Sequence, residues 1–98
     1  MENDTKANAI RRWIDPEERI TVDFEDERDL NAEVTACNTE VVSLALETAF
    51  PHLRQNTTIP LGEVEVGEDR GKYTRDPEKP LQQGRLRLII HQKRPQVI

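Results

Sequence analysis

The sequence has little cysteine, few aromatic residues and no long apolar run. Its one cysteine, Cys37, excludes an intramolecular disulfide and is typical of a reducing compartment, so we expect a cytoplasmic protein. No stretch approaches the roughly 20 apolar residues of a membrane-spanning helix, and no basic-then-apolar leader opens the chain. We therefore expect neither a membrane protein nor a secreted one.

The common ligand-binding motifs are also missing from the sequence. A phosphate-binding loop needs Ser or Thr after its Gly-Lys pair, but the pair at 71–72 is followed by Tyr73. The run at 23–29 has the acid spacing of a calcium loop, yet Arg28 occupies the glycine position and Val34 the glutamate position. We expect a solvated acidic loop and no cofactor.

The candidate metal ligands and nucleophiles are Cys37, His52 and His91. They fall on different predicted elements without diagnostic spacing, which argues against a zinc site. Cys37 lies where a strand is predicted to give way to a helix N-terminus, a position that lowers a thiol pKa. Because no Cys-x-x-Cys pattern and no nearby histidine accompany it, we expect a buried structural cysteine. A thiol-dependent activity at Cys37 is the alternative function.

Charge is unevenly distributed along this acidic chain, whose formal net charge is -5. Acids outnumber bases in residues 1–50, most strongly in 15–33, and bases outnumber acids in residues 51–98. Such asymmetry indicates either partner binding or complementary surfaces within one fold. The acidic 15–33 surface can steer a basic partner, or it can simply keep a small protein soluble.

The densest apolar stretch, 39–53, predicts the main helix. Its apolar residues recur at i, i+3 and i+4 from two successive positions, Val41 and Val42, which gives a wide stripe. Asn38 can cap the first turn, and Pro51 can end the helix. A helix this apolar must be covered, so the shorter apolar runs are interpreted as strands of a sheet beneath it.

Two alternating runs before this helix predict a β-hairpin. Apolar and polar residues alternate over 20–24 and over 30–36, with the polar loop EDERD between them. A rival interpretation extends the main helix back to Asp29, but the poor helix formers of 35–39 argue against it. The pairs that keep one face apolar are Ile20–Val34, Val22–Ala32 and Phe24–Leu30.

The last two predicted strands are 59–66 and 85–92. Their register is set by charge, because one arrangement brings acids and arginines together on a single face. Pro60 lacks a ladder donor, so the first strand lies at a sheet edge or begins beyond the proline. The predicted pairs are Glu63–Arg87 and Glu65–Arg85 on one face, and Gly62–Leu88 and Val64–Leu86 on the other.

Together these patterns predict an α+β fold of order ββαββ: a mostly antiparallel four-stranded sheet with one main helix packed on one face. We expect a mobile tail at 1–9, a single domain over 10–93 and a tail at 94–98. A short helix over 6–14 would place Ile10, Trp13 and Ile14 on the second face of the sheet. Trp13 serves there as a lid on the core or, alternatively, as an interface anchor.

The expected function is a small soluble, non-catalytic binding or regulatory module that acts through protein–protein contacts, as a monomer or weak homodimer. Its partner is an unidentified protein, bound by the acidic surface or by the loop 67–84, which is long for a compact domain. The candidate binding residues are Asp23, Glu25, Asp26, Glu27, Asp29, Arg70, Lys72, Tyr73 and Arg75. A second alternative is nucleic-acid binding through Arg85, Arg87, Lys93 and Arg94, against which the acidity of the chain argues.

Overall fold

The computed structural model describes residues 2–14, 19–69 and 85–96. They form one α-helix and one six-stranded mixed sheet, which confirms the α+β class, whereas the predicted ββαββ order and four-stranded sheet are wrong. The elements are α1 (Glu2–Arg11), β1 (Ile20–Asp23), β2 (Leu30–Cys37), β3 (Val41–Glu47), β4 (Arg54–Pro60), a 3₁₀ turn (Leu61–Glu63), β5 (Val64–Asp69) and β6 (Arg85–Ile90). Within these ranges no helix is long and apolar enough to cross a membrane.

The strands lie in the spatial order β4-β3-β2-β1-β6-β5. Strands β1 and β6 are parallel, and every other neighbouring pair is antiparallel. The parallel pair places Thr21 opposite Arg87 and Asp23 opposite Ile89. The acidic and basic halves of the chain therefore meet inside the sheet, between its fourth and fifth strands.

The sheet is strongly coiled, because a very short connection joins its two edge strands. Strand β4 ends at Pro60 and β5 begins at Val64, so these Cα atoms lie at most about 15 Å apart. A flat six-stranded sheet would hold its edge strands about 24 Å apart. The sheet therefore curls around the side chains of its inner face. Pro60, expected either in an edge strand or just before the strand, is the last residue of the edge strand β4.

The core fills this inner face, and α1 covers it. Ala7 and Ile10 of the helix are fully buried, and Trp13 packs against the same apolar cluster. The helix contacts β2, β5 and the 3₁₀ turn. Thus α1 takes the covering role that the sequence assigned to 39–53, and residues 2–9, expected to be a mobile tail, form most of it.

The prediction of a main helix over 39–53 is wrong, because this stretch forms β3 and the turn after it. Val42, Leu44 and Leu46 are buried at period 2 on the inner face. Ala45 is also buried, on the opposite face, so the stretch has apolar residues at helical as well as strand spacing. Periodicity alone cannot separate a short buried strand from a helix in such a run.

Asn38 caps a turn rather than a helix. Its Oδ1 accepts hydrogen bonds from the backbone N–H groups of Glu40 at 2.8 Å and Val41 at 2.9 Å. This side-chain arrangement closes the hairpin between β2 and β3. The rival interpretation of a helix reaching back to Asp29 is also wrong, since β2 spans Leu30–Cys37.

The predicted hairpin of β1 and β2 forms, but its register is shifted by two residues. Ile20 pairs with Ala32, not Val34, and Val22 pairs with Leu30. The loop takes up the last residue of the first alternating run, which shortens β1. Because a shift of two preserves the alternation of side chains, the predicted apolar face is kept.

The strand predicted over 85–92 is confirmed in its first six residues, Arg85–Ile90. The strand predicted over 59–66 is wrong, because that stretch is divided among the end of β4, the 3₁₀ turn and the start of β5. Val64 pairs with Ile90 instead of Leu86. Val64 is buried in this register, while Arg85 and Arg87 of β6 find their partners on β1 and β2.

The outer face of the sheet is polar, and the N-terminal segment does not cover it. Ile10 lies in the core on the inner face, so the predicted placement of 6–14 on the second face is wrong. Ile14 is 43% exposed. Arg85 and Arg87 of β6 instead lie across the outer face, where Arg85 bonds to Arg19 O and Arg87 bonds to Asp23.

Candidate functional site

The predicted acidic binding residues begin with Asp23, at the end of β1. Its carboxylate lies 2.7 and 2.8 Å from Arg87 Nη1 and accepts the backbone N–H of Asp29 at 2.8 Å. Burial opposes ionisation of this side chain, which is 15% exposed, but these two donors outweigh it and hold the pKa of Asp23 below its usual range. Asp23 is therefore a structural anion within the sheet.

Asp29 closes the loop between β1 and β2 in the same network. Its Oδ1 lies 2.9 Å from Arg87 Nη2, and its φ is 59°, in the left-handed region that Asp tolerates better than most residues. Phe24, at the start of the loop, is buried and donates its N–H to Glu27 O at 2.7 Å. The loop is thus folded back on itself, and Arg87 holds its last residue.

Arg94 holds the rest of the acidic loop. Its backbone N–H donates to Asp26 Oδ1 at 2.8 Å, and its Nη1 lies 2.9 Å from Glu27 Oε2. Its side chain is only 13% exposed, because it also reaches across to Gln55 Oε1 at 2.9 Å and to Glu47 O. Arg94, expected to open a C-terminal tail, instead fastens this loop to β3 and β4.

The charge asymmetry of the chain is therefore largely satisfied within the fold. Of the predicted acidic residues, Asp23, Asp26, Glu27 and Asp29 contact arginines or backbone N–H groups of the chain itself. Glu25 is exposed, and its backbone N–H donates to Gln92 O at 3.0 Å. Arg70, Lys72, Tyr73 and Arg75 lie outside the described residues, so the predicted role of the 67–84 loop stays a prediction.

The predicted basic surface of the C-terminal strand is engaged in the same way. Arg85 donates to Arg19 O at 2.8 Å and, through Nη2, to Asn31 Oδ1 at 2.9 Å. Arg87 contacts Asp23 and Asp29. Arg94 contacts Asp26 and Glu27. Lys93 is exposed. The predicted phosphate contacts would have to compete with these internal partners.

Cys37 ends β2 and faces Val42 of β3. It is half-buried, and burial raises the pKa of its thiol, an effect that the Arg11 guanidinium only partly offsets. No helix begins after it, so the expected activation by a helix N-terminus does not arise. A thiol with a raised pKa holds little thiolate at neutral pH, which disfavours nucleophilic chemistry.

The candidate metal ligands lie on different elements of the fold. His52 lies in the turn between β3 and β4, whereas His91 follows β6, where its Nε2 is 3.4 Å from Glu65 Oε2. Across the ranges 2–14, 19–69 and 85–96, no group of three or more His, Cys, Asp or Glu side chains is arranged to hold a metal ion.

A surface that the sequence did not reveal lies between β3 and β4, in residues 48–53, here called the apolar turn. Phe50 is 66% exposed and Leu53 is 58% exposed, the two highest values among the large apolar side chains described. Exposed apolar groups that lie side by side mark interaction sites far more often than isolated ones do. His52 and Arg54 beside them are exposed and polar.

The apolar turn is held in one conformation by its own hydrogen bonds. Thr48 Oγ1 accepts the N–H of Phe50 at 3.1 Å and lies 3.1 Å from Leu53 O. Leu53 N donates to Phe50 O at 3.1 Å. Arg54 Nη1 donates to Pro51 O and to Leu53 O, both at 3.2 Å. Phe50 and Leu53 are therefore presented on a preformed loop.

Sequence reasoning missed this turn because it placed Phe50 and Leu53 within the predicted main helix, 39–53. The signal that finds it is the strand alternation Val42-Leu44-Leu46, which stops at Glu47. Apolar residues that follow the end of an alternating run belong to the connection rather than to the core.

Comparisons of this chain with protein-family models, with curated proteins and with solved structures found no match.

Proposed function

We propose that this chain is a non-catalytic protein-binding module that docks its partner on the apolar turn. The observation that carries the proposal is the exposure of Phe50 and Leu53 on a loop whose conformation is fixed by hydrogen bonds. Burying each such side chain in an interface contributes about 1.5–3 kcal/mol. Phenylalanine is among the residues enriched in the buried centres of protein–protein interfaces.

The surroundings of the turn have the composition of an interface. The two apolar side chains are flanked by the exposed polar residues His52, Arg54 and Asn56. An apolar centre with a polar rim is the usual anatomy of protein–protein contacts. A preformed loop also loses little conformational entropy on binding, so more of the contact energy appears as affinity.

A charged residue, Arg94, holds the two strands that flank the apolar turn. Arg94 donates to Glu47 O at the end of β3 and to Gln55 Oε1 at the start of β4, the two strands that the turn connects. Its guanidinium is fixed in turn by Glu27 of the acidic loop. Of the charged residues that the sequence suggests as binding surfaces, Arg94 and Glu27 thus act here by positioning the apolar turn.

A capture experiment with matched variants tests this function. Wild type, the double variant Phe50→Ser/Leu53→Ser, and Ile14→Ser, which also removes an exposed apolar side chain, are immobilised and exposed to native lysate. Proteins retained by wild type are identified, purified and rebound. We expect the double variant to bind about 30-fold more weakly or worse, since truncating one hot spot costs about 2 kcal/mol, and Ile14→Ser to bind as wild type does.

A purified partner that binds the double variant and wild type equally would overturn the proposal. So would a lysate from which wild type retains nothing that the double variant loses. The half-buried free thiol of Cys37 supports the further proposal that the module acts in the reducing cytoplasm.

A further inference from the structure

Strand β4 presents a regular pattern of backbone groups at the edge of the sheet. Leu61 N donates to Glu40 O at 2.9 Å, which extends the β3–β4 register by one residue. Hydrogen-bonded positions alternate along an antiparallel pair, so the odd-numbered residues of β4 bond to β3. The N–H and C=O groups of Arg54, Asn56 and Thr58 therefore point away from the sheet.

The outward groups of Asn56 and Thr58 have no partner within the described part of the chain. Both residues are exposed, and β4 is the last strand on its side of the sheet. No hydrogen bond from residues 2–14, 19–69 or 85–96 reaches their outward backbone atoms. A strand edge of this kind is a template for another strand.

The sequence of β4, RQNTTIP, lacks most of the features that protect such edges. It contains no lysine, its pairing with β3 has no bulge, and its proline stands only at the last position. Arg54 is its one charged residue. The strand begins directly after Leu53, so a second strand laid along it would reach the apolar turn.

We propose that β4 receives an extended segment of the partner protein by strand addition, with the apolar turn as the anchor at one end. This proposal rests on the proposed function, because the turn supplies the specificity that backbone hydrogen bonds lack. In strand addition, main-chain hydrogen bonds contribute affinity, while side-chain contacts select the sequence.

The side chains along this edge define the chemistry of the segment. Arg54 is fixed at the start of the edge by its bonds to Pro51 O and Leu53 O, so it favours an acidic residue opposite. Leu53 and Phe50 favour an apolar residue at the same end. Asn56 and Thr58 are polar and uncharged, so the middle of the segment is uncharged and extended.

Amide hydrogen exchange in the full chain tests this proposal. The probe is a peptide selected for binding from a displayed library of short random peptides. In the free protein, the amides of Gln55, Thr57 and Ile59 are expected to exchange slowly because they bond to β3. Those of Asn56 and Thr58 are expected to exchange fast. Bound peptide should slow Asn56 and Thr58 by about tenfold, as one new hydrogen bond each would.

A second arm uses two isomers of the selected peptide, N-methylated at alternate amides. Methylation of the set that faces β4 should abolish binding, whereas methylation of the other set should leave it intact. Equal effects of the two sets would overturn strand addition. This arm needs no variant of the protein, so misfolding cannot produce its result.

The outcomes separate the two proposals. Binding that Phe50→Ser/Leu53→Ser removes, without protection of Asn56 and Thr58, overturns strand addition and leaves the proposed function standing. Binding that the double variant does not weaken overturns the proposed function, and a library that yields no binder overturns both. Protection that rises with protein concentration and needs no peptide identifies the occupant as a second copy of this chain, which overturns the assignment to a partner.

Discussion

Arg87 of β6 contacts both carboxylate oxygens of Asp23 in the parallel strand β1, with Nη1 2.7 Å from Oδ2 and 2.8 Å from Oδ1. This pair joins the acidic first half of the chain to the basic second half. It fixes the one parallel pairing of the described sheet and, with Asp29, the loop between β1 and β2. The charged residues near this strand pair therefore stabilise the fold through contacts with one another, and a partner would have to compete with those contacts.

The first prediction concerns this pair. Replacing Asp23 by Asn should lower the free energy of unfolding by about 1.5–3 kcal/mol, because hydrogen bonds to charged groups contribute that much. Urea denaturation measures the change. The control is Glu65→Gln, whose carboxylate is exposed and lies beside His91 on the surface, and which should cost less than about 0.5 kcal/mol. Equal effects would show that the strand pair does not depend on Asp23.

The same pair predicts a pH dependence. Because the pKa of Asp23 is lower in the folded state than in the unfolded state, its contribution is fully present above the unfolded pKa, about 3.9. That contribution is lost as the pH falls below this value and through the folded pKa. The stability difference between wild type and Asp23→Asn should therefore shrink on acidification. A difference that grows below about pH 4 would contradict the assignment.

The second prediction concerns Arg94. Arg94→Met keeps the apolar stem of the side chain but leaves Gln55, Glu27 and the carbonyl of Glu47 without their donor. We expect a loss of about 2–3 kcal/mol in unfolding free energy and faster amide exchange in the apolar turn. Lys93→Met, at an exposed position beside it, should change neither quantity. If Arg94→Met has the stability of wild type and unchanged amide exchange in the apolar turn, then Arg94 does not hold the turn in place.

The third prediction tests whether α1 belongs to the core. Ile10→Ala should cost about 2–4 kcal/mol of unfolding free energy, because the side chain is fully buried. Ile14→Ala, three residues beyond the helix and largely exposed, is the matched control and should cost less than about 1 kcal/mol. If the two variants melt alike, the helix does not cover the sheet as described.

The parts of the fold that follow from local alternation could be predicted from the sequence. Apolar residues recur at every second position around Val22, Ala32 and Leu88. Each of these runs forms a strand whose predicted apolar face points to the core. What failed was the stretch at 41–47, because a central strand with apolar residues on both faces also satisfies helical spacing. Side-chain alternation is preserved by even shifts, which is why the predicted registers were wrong while the faces were right.

The candidate site depends on contacts between residues that are far apart in the chain, and the sequence alone does not show which strands are neighbours. The partners Asp23 and Arg87 are far apart in the chain, and nothing in the local pattern indicates that their strands lie side by side. Without that pairing, the acidic and basic stretches are naturally interpreted as surfaces for a partner. Phe50 and Leu53 were assigned to the main helix because the apolar residues at 41–47 also satisfy helical spacing.

The fourth prediction concerns the thiol of Cys37. Burial raises its pKa in the folded chain, so the pH at which it reacts half-maximally with an alkylating reagent should be higher than in the denatured chain. Alkylation rates measured across pH in native and denaturing buffer give the comparison. A native midpoint below the denatured one would restore the thiol-dependent activity as a candidate function.

The central claim is that the apolar turn is the surface that meets a partner, and site-specific photo-crosslinking tests it most directly. A photoreactive phenylalanine analogue is introduced at Phe50 or, as the control, at Ile14, and the protein is irradiated in the native cell. We predict a discrete cross-linked partner from position 50, lost when Leu53 is replaced by Ser, and none from position 14. A partner that cross-links from position 14 but not from position 50 would contradict the account.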